Sequence, residues 1–286
     1  MMKKLRIALL VFFIVVASVF AYTTIRRRMS VDYDAPAITA EEDVISVSIA
    51  ATDEELLKGM KAYDKIDGDV TNTLFVVSKS KFVAKNTQQI RYAAFDSNKN
   101  VGTFTREVVY IDYVSPRFHL YAPLRYASGT TGIDYLEHFS AEDCLDGNIT
   151  NQMKITFGKV TAAGISATTQ QLNIQVTNSG GDSSVLELTA SMEDYLLFSQ
   201  LAPALREYIA YVPKGGVIDL ESYLVGVWSA GSNRSFADAK LSADNVFINK
   251  NGLNCSVPGR YDVIYQLRNN LGEDLGTATL IVIVEE

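Results

Sequence analysis

The sequence predicts an all-β chain of three tandem two-sheet modules behind one N-terminal transmembrane helix. Three observations support this fold class: one long uncharged run opens the chain, alternation of apolar and polar residues with period two dominates the remainder, and one acidic phrase occurs twice at module spacing. The predicted domains are residues 1–30 for a short cytoplasmic tail and the transmembrane anchor, then 31–114, 115–200 and 201–286 for the modules.

The N-terminal segment is predicted to cross a membrane. Residues 7–25 are nineteen uncharged residues, with three basic residues before them and Arg26 to Arg28 after them. At about 1.5 Å of rise per residue they would span roughly 28 Å, close to the thickness of the hydrocarbon core of a bilayer. The triple arginine favours an uncleaved anchor, so the membrane is the first expected partner. Cleavage after Ala21 would instead release a secreted protein, because a signal peptide has a similar layout.

Charge does not decide the orientation of this helix, since three basic residues flank each end. A short basic N-terminus usually stays in the cytoplasm, and a long acidic remainder can be translocated regardless of its charge. We therefore expect a single-pass cell-membrane protein with its modules on the extracellular side.

Strand patterns dominate the rest of the chain. In "ISVSIAA" (45–51), in "LNIQVTN" (172–178) and in "RYDVIYQL" (260–267), apolar residues recur at every second position. Such strands predict antiparallel sheets with one packed and one solvated face. Helical signal is sparse, and the clearest instance is a capping box at Thr52 and Glu55.

A repeat divides the strands into modules. The phrases "AYDKIDGDVTN" (62–72) and "AEDCLDGNITN" (141–151) start 79 residues apart. Proline stands two residues before an apolar residue at Pro36, Pro116 and Pro203, which gives spacings of 80 and 87 residues. The third period has no recognisable acidic phrase. Modules of this length with six or seven short strands have the size of an immunoglobulin-like β-sandwich.

Three stretches of the first module carry a family resemblance: "DAPAI" (34–38), "GMKAYDKIDGDVTN" (59–72) and "IRYAAFDSNKNVGTFTREVVY" (90–110). The module resembles the bacterial immunoglobulin-like repeat of Gram-positive surface proteins, also seen as the Ig-like domain of a pesticidal crystal protein. The residues that match the family pattern are Asp64, Asp67, Gly68, Asp69, Val70, Thr71, Tyr92, Asp96 and Asn100. Lys99 stands where the family has glycine.

The resemblance weakens along the chain. The second module matches from Ala141 to Asn151 but lacks the later motif that contains Asp96 and Asn100 in the first module. The third module resembles the family only in "PGRYDVIYQL" (258–267). The resemblance implies a cell-surface β-sandwich used as a spacer or in adhesion, without an assigned catalytic activity.

The acidic phrase has three interpretations: a metal loop, a catalytic carboxylate pair or a structural turn. Asp64, Asp67 and Asp69 supply the oxygen ligands that calcium prefers, but their spacing differs from that of an EF-hand loop, and the second copy has asparagine at the third position. In a turn, the side chains would accept hydrogen bonds from their own backbone, and Gly68 or Gly147 would supply a positive φ. We predict the turn, with calcium as the cofactor alternative.

Few other residues are candidates for catalysis, and the chain is predicted not to be an enzyme. His119 and His138 are the only histidines, and no serine or cysteine nucleophile signature accompanies them. Cys144 and Cys255 lie in different modules, which is not a disulfide framework. The net charge of −7 disfavours nucleic acid as a partner.

The expected function is therefore that of a non-enzymatic, membrane-anchored surface protein. Its modules would form a rod that acts as a spacer or as a scaffold for adhesion and interaction, with an extracellular protein or glycan as partner. The alternative is an extracellular module protein that binds glycan or cell-wall polymer.

Overall fold

The computed structural model describes residues 2–29 and 33–286. The chain divides into two compact units, Met1–Tyr113 and Val114–Glu286, each with its own sheets.

The chain begins with the predicted apolar helix. Helix α1 spans Met2–Met29. Between Arg6 and Arg26 it is long and apolar enough, by length and composition, to cross a membrane, and its large apolar side chains there are exposed. The prediction of an N-terminal apolar helix is confirmed.

The first unit contains a three-stranded and a four-stranded sheet. Its elements are β1 Ala37–Ala40, β2 Val44–Val47, α2 Asp53–Leu56, β3 Met60–Asp64, β4 Gly68–Asp69, a 3₁₀ turn Thr71–Thr73, β5 Phe75–Ala84, β6 Thr87–Phe95 and β7 Val101–Tyr110. The strand orders are β1-β3-β4 and β2-β7-β6-β5, and every pair is antiparallel except β2 with β7. The all-β prediction is confirmed.

Both sheets of the first unit contribute side chains to one core, which makes the unit a sandwich. Alternate residues of β6 (Ile90, Tyr92 and Ala94) are buried, as the period of two requires. The Tyr92 hydroxyl donates to the Leu56 carbonyl oxygen at 3.1 Å, which satisfies its polar end inside the core. Leu56 ends α2, a single turn that begins with the predicted capping box.

The second unit contains four sheets. Its elements are β8 Arg117–Leu120, β9 Arg125–Ala127, β10 Phe139–Asp143, β11 Gly147–Asn148, a 3₁₀ turn Thr150–Gln152, β12 Lys154–Ala162, β13 Ala167–Thr177, β14 Ser183–Glu193, α3 Tyr195–Phe198, β15 Ala202–Leu205, β16 Ile209–Pro213, a 3₁₀ turn Glu221–Tyr223, β17 Leu224–Ser229, β18 Ser232–Arg234, a 3₁₀ turn Ala243–Asn245, β19 Val246–Asn249, β20 Gly259–Arg268 and β21 Asp274–Glu285. The strand orders are β8-β10-β11, β9-β14-β13-β12, β15-β17-β18 and β16-β21-β20-β19.

The strand pairing of the first unit recurs twice in the second. We call β1–β7, β8–β14 and β15–β21 the three sets of strands. In each set the first strand joins a three-stranded sheet, and the second strand pairs in parallel with the last strand of the set in a four-stranded sheet: β2 with β7, β9 with β14, and β16 with β21. One parallel pair in a set of antiparallel hairpins recurs with the same connectivity, which agrees with the repeat in the sequence.

The core of the second unit is continuous. It joins buried residues of the first two of its sheets, such as Phe118 and Leu172, to those of the last two, such as Leu205 and Leu280. The backbone N–H of Tyr208 donates to the Leu120 carbonyl oxygen at 2.8 Å, so the two sets of sheets also share a main-chain hydrogen bond. The division of the chain into three modules stays a prediction.

Two long edge strands carry interruptions. β5 and β12 are the outer strands of their four-stranded sheets, and the pairing of each with its neighbour shifts register. Lys79 and Lys81 lie on β5, and Lys154 and Lys159 lie on β12.

Candidate functional site

The first acidic phrase forms a turn between β3 and β4 that its own carboxylate closes. Oδ1 of Asp64 accepts hydrogen bonds from the backbone N–H groups of Ile66 and Asp67 at 2.7 and 2.8 Å. Asp64 is buried, and these bonds replace hydrogen bonds to water that it loses on folding. Gly68 follows with a φ of +76°, a conformation that costs glycine almost nothing.

Asp69 closes the next turn. Its Oδ1 accepts from the backbone N–H of Thr71 at 2.9 Å, and the Thr71 hydroxyl oxygen accepts from the backbone N–H of Ala62 at 3.0 Å. Hydrogen bonds from the Thr71 side chain, and then from its backbone, lower the pKa of Asp69. The phrase therefore ties the end of β3 to the 3₁₀ turn through its own side chains.

The second acidic phrase repeats this geometry. Oδ2 of Asp143 accepts from the N–H groups of Leu145 and Asp146 at 2.8 and 3.1 Å, and Gly147 has a φ of +70°. Asn148 accepts from the N–H of Thr150 at 3.0 Å. An amide oxygen thus does here what the Asp69 carboxylate does in the first unit, because the task needs one acceptor and no charge.

A second turn recurs between the last two strands of each set. The first residue of the turn accepts a hydrogen bond through its side chain from the N–H four residues later, at 2.7 Å from Asn100 to Asp96, 2.9 Å from Asp182 to Asn178 and 2.9 Å from Glu273 to Asn269. The fourth residue has a positive φ each time: +69° at Lys99, +85° at Gly181 and +84° at Gly272. Matching the second module to the family pattern did not find its copy of this turn, because Asn178 and Asp182 stand there in the reverse order of Asp96 and Asn100.

Side-chain contacts link the two kinds of turn. Asp67 accepts from the N–H and the hydroxyl of Ser97 at 2.8 and 3.0 Å, and Asp146 accepts from the N–H and the hydroxyl of Ser179, both at 2.6 Å. We call each linked set the paired turns. They hold together two loops at one end of a sandwich, which is a positioning role.

The third set of strands replaces the acidic phrase with a tighter turn. Ser229 pairs with Ser232 across a two-residue hairpin, in which Ala230 and Gly231 have φ values of +48° and +82°. Two consecutive positive φ values are typical of the hairpin turns that match strand twist. The signal in the sequence was the dipeptide Ala-Gly between strand residues, which is weaker than Asn-Gly or Asp-Gly.

The three aspartates of the calcium alternative have different hydrogen-bond partners. Asp64 and Asp69 accept from the backbone of the phrase itself, and Asp67 accepts from Ser97. Over residues 2–29 and 33–286, no group of three His, Cys, Asp or Glu side chains is placed to hold a metal ion. The choice between the turn and the calcium site remains a prediction, and it has a direct test.

Replacing Gly68 or Gly147 with alanine should lower the free energy of unfolding by about 1 kcal/mol, because each would force a side chain into a positive φ. An added Cβ would meet no atom within 4 Å at either position, so the conformational cost is the only one. Thermal melts of the two variants measure this. Calcium should leave the melting temperature nearly unchanged, and a large calcium-dependent shift that Asp67→Asn abolishes would establish the metal loop instead.

Replacing Lys99 with glycine should stabilise the first unit by about 1 kcal/mol, because a lysine with a φ of +69° bears a strain that glycine does not. The side chain is exposed, so the substitution removes little packing. The matched control is Gly181→Lys, which should destabilise by a similar amount. Chemical denaturation of both variants provides the measurement, and a destabilised Lys99→Gly variant would contradict the strain argument.

A polar cluster lies where β8 meets the segment between β15 and β16, and we call this contact the junction. His119 Nδ1 contacts the Glu207 carboxylate, and its Nε2 lies 3.2 Å from Oε1 of Glu142. Arg117 makes a two-pronged ion pair with Glu285, including a 2.9 Å bond from Nε to Oε1. The sequence singled out His119 only as one of two histidines, and the structure places it between two carboxylates.

A second polar contact surrounds Arg125 on β9, which pairs with β14 in the same sheet. Arg125 donates to both oxygens of Glu193 at 2.6 to 3.0 Å and to the Leu197 carbonyl oxygen at 2.9 Å. Its guanidinium lies 4.8 Å from the centre of the Trp228 ring. Only 17% of the Arg125 side chain and 7% of the Glu193 side chain are exposed, so this is a buried ion pair.

A polar cleft of about 680 Å³ opens beside the junction. Thr161, Thr169, Ser191 and Arg125 follow one another across four neighbouring strands and line one wall. The charged residues in the lining have both signs: Arg125, Lys159 and Arg260 are cationic, and Glu187 and Asp262 are anionic. Hydroxyl groups and charges of both signs suit a neutral polar ligand better than a strongly ionic one.

The comparisons with known proteins identify no family. No protein-family model matches the chain, and no curated protein matches it. Solved structures that resemble it include the M60 catalytic domain with two CBM51 domains from Clostridium perfringens ZmpB, with 9% identity over 88% of this chain and 31% of that one and a TM-score of 0.21.

Two further structures are the protocadherin gamma B4 extracellular domain, with 12% identity over 89% of this chain and 51% of the other and a TM-score of 0.22, and a lipoprotein from Bacteroides thetaiotaomicron, with 10% identity over 86% and 98% and a TM-score of 0.19. The chain thus spans about a third of the length of the ZmpB structure and about half of the length of the protocadherin structure. At such TM-scores these likenesses carry no argument about function.

Proposed function

We propose that this chain is a non-enzymatic, membrane-anchored surface protein whose three immunoglobulin-like modules form a spacer and interaction scaffold outside the cell. The observation that carries the proposal is the threefold recurrence of one strand connectivity behind an apolar N-terminal helix. Repetition of a sandwich extends the reach of a chain, whereas a reaction centre needs to be built only once.

The organisation of the loops supports a scaffold. In the first two sets of strands the paired turns hold their loops with hydrogen bonds that carboxylate and amide side chains accept, as Asp67 and Asp146 do. The polar groups of these loops therefore make hydrogen bonds that hold the loop conformation. The resemblance of the first module to bacterial immunoglobulin-like repeats points in the same direction, toward a spacer or adhesion role.

The helix α1 supplies the proposed anchor. Basic residues flank its apolar stretch, and the extracellular side is the proposed place of the sandwiches. Protease added to intact cells should remove the modules and leave the helix behind. Protected modules would overturn the orientation, and a mature N-terminus at Tyr22 would replace the anchor with a cleaved signal peptide.

Small-angle scattering of the full chain in a nanodisc, with the disc contribution matched out by contrast, tests the spacer role. A rod of three sandwiches should give a maximum dimension well above that of a compact protein of the same length. A compact profile would remove the spacer proposal and would leave the anchored interaction module to be tested by the protease experiment.

A second candidate function is glycan or cell-wall-polymer binding, which the cleft beside the junction favours. Its row of Thr161, Thr169 and Ser191 offers hydroxyl oxygens that can accept from sugar hydroxyls. The hydroxyls of Thr169 and Ser191 themselves donate to the Thr161 carbonyl oxygen at 3.3 Å and to Glu193 at 2.8 Å. A volume of about 680 Å³ lies within the usual range of small-ligand sites.

A glycan array probed with the full chain in detergent tests this candidate. Retained binding to a defined oligosaccharide that Thr169→Val reduces would support it. Thr168→Val is the matched control, because residue 168 precedes Thr169 on β13 and does not line the cleft. Absence of binding to any neutral glycan would remove the candidate.

A further inference from the structure

The end of the first sandwich that carries the paired turns is also the end at which the chain enters it. β1 begins at Ala37, which pairs with Tyr63 directly before the first turn. A Cβ on Gly102, which directly follows the second turn, would lie 2.0 Å from the Pro36 carbonyl oxygen. Only residues 30–36 separate α1 from β1, and fully extended they would span about 25 Å. The paired turns of the first set therefore stay close to any membrane that α1 crosses.

The exposed side chains at this end include both apolar and basic ones. Four apolar side chains there are 44% to 65% exposed: Tyr63, Ile66, Phe95 and Val101. Lys65 and Lys99 are exposed beside them. Exposed aromatic and aliphatic groups flanked by lysine are typical of protein surfaces that lie among lipid headgroups.

The corresponding end of the second set has the same turns without these side chains. The link from Asp67 to Ser97 recurs between Asp146 and Ser179. None of the following replacements is basic or a large apolar residue: Glu142 for Tyr63, Cys144 for Lys65, Thr177 for Phe95, Gly181 for Lys99 and Ser183 for Val101. Leu145 replaces Ile66 and is less exposed. The turns therefore do not themselves require the apolar and basic residues.

The backbone of Lys99 gives an independent indication. Its φ is +69°, where the second and third sets have Gly181 and Gly272. The three residues make the same main-chain hydrogen bond, and that of Lys99 to the Asp96 carbonyl oxygen measures 3.2 Å, against 3.0 Å for each glycine. Glycine would thus form the turn without strain. A side chain kept in a strained conformation on an exposed turn indicates a function outside the turn.

We propose that the paired-turn end of the first sandwich is a membrane-contacting surface, which rests on the headgroups of the bilayer that α1 enters. Lys65 and Lys99 contact lipid phosphate groups, and Ile66 lies between headgroups. The inference rests on the proposed membrane anchor. Because the tether is short, the contact is intramolecular, and the weak attraction of a few side chains is enough to populate it.

The acidic side chains of this end oppose the contact only in part. Asp67 accepts from Ser97 and Asp69 accepts from Thr71, so both exposed carboxylates are engaged in the turns. Lys65 and Lys99 offset their two charges. The contact would restrict the angle at which the first sandwich leaves the membrane.

Methyl NMR of the full chain in nanodiscs of phosphatidylcholine and phosphatidylglycerol tests the proposal. A gadolinium chelate on a small fraction of the headgroups broadens the signals of methyl groups near the bilayer surface. The signals of Ile66 should broaden, and those of Leu145 should not. Ile25 on α1 reports the anchor itself. Broadening of Ile25 without Ile66 would overturn the contact and leave the anchor standing, whereas an unaffected Ile25 would refute the anchor and the contact together.

Variants that copy the second set separate contact from mere proximity. Lys99→Gly should lower the ratio of membrane-bound to free sandwich ends about fivefold, because an anionic surface loses one lysine. The same substitution relieves backbone strain, so unfolding would not explain the loss. Phe95→Thr combined with Val101→Ser should lower the ratio as well.

Lys81→Ser is the matched control, since this exposed lysine lies on β5 away from the paired turns, and it should leave the Ile66 signals broadened. If Ile66 stays equally broadened in Lys99→Gly and in the double variant, the tether alone brings this end near the bilayer and the proposed contact is wrong.

Discussion

Replacing Gly102 with alanine should destabilise the first unit by about 3 kcal/mol or more, the largest effect expected of any single methyl group in this unit. The added Cβ would lie 2.0 Å from the Pro36 carbonyl oxygen, a backbone atom, and the position of the Cβ is itself fixed by the backbone of residue 102. Neither can rotate aside as a side chain would, so β7 or the segment before β1 has to move. Thermal unfolding of the full chain should show a melting temperature lower by roughly 12 °C or more for this unit.

The matched control for Gly102→Ala is Gly68→Ala, where an added Cβ meets nothing within 4 Å. The difference between the two variants isolates the close approach from the general effect of losing a glycine. The corresponding position of the second unit holds Ser184, whose hydroxyl donates to the Pro116 carbonyl oxygen at 2.6 Å. A melting temperature of Gly102→Ala within 1 °C of the parent would mean that residue 102 has as much room beside the Pro36 carbonyl oxygen as Ser184 has beside that of Pro116.

Replacing Arg125 with alanine should destabilise the second unit by about 3 to 5 kcal/mol, because it leaves the carboxylate of Glu193 buried without its cation. The variant also loses the bond to Leu197 and the contact with Trp228. Denaturant unfolding monitored by tryptophan fluorescence suits the measurement, since Trp228 is the only tryptophan.

Two variants serve as controls for the buried pair. Arg268→Ala breaks the exposed ion pair with Asp274, whose side chains are 37% and 60% exposed, and should cost no more than about 1 kcal/mol. Arg125→Lys keeps the charge and loses the two-pronged geometry, so its effect should lie between those of the two alanine variants. Equal effects of Arg125→Ala and Arg268→Ala would contradict the argument from burial.

Local rules predicted much of the fold from the sequence. The apolar helix follows from the uncharged run of residues 7–25, and the strands follow from period-two alternation such as Ile90, Tyr92 and Ala94 on β6. The capping box of Thr52 and Glu55 is present as predicted. These features depend on neighbours within a few residues, which the sequence displays directly.

The features that the sequence did not predict depend on residues far apart in the chain. Gly102 must be glycine because Pro36 approaches it, and Arg125 is buried because Glu193 and Trp228 surround it. The shared core of Val114–Glu286 likewise arises from contacts between distant strands. No periodicity in the sequence records which distant residues will meet.

The candidate site likewise has local features that the sequence displays and long-range contacts that it does not. The acidic phrase was visible because Asp and Gly cluster within eleven residues, whereas the link from Asp67 to Ser97 spans 30 positions. His119 attracted attention only as a rare residue type, and its bridging position became visible when Glu142 and Glu207 were placed around it.

The interrupted edges of β5 and β12 bear on contacts between copies of the protein. Unpaired edge strands can add to the sheet of a neighbouring molecule and begin aggregation. A copy that approaches either edge meets two lysines and a broken register, which disfavours continuous pairing between molecules along it. These two edges therefore protect their sheets from edge-to-edge association between copies of the chain.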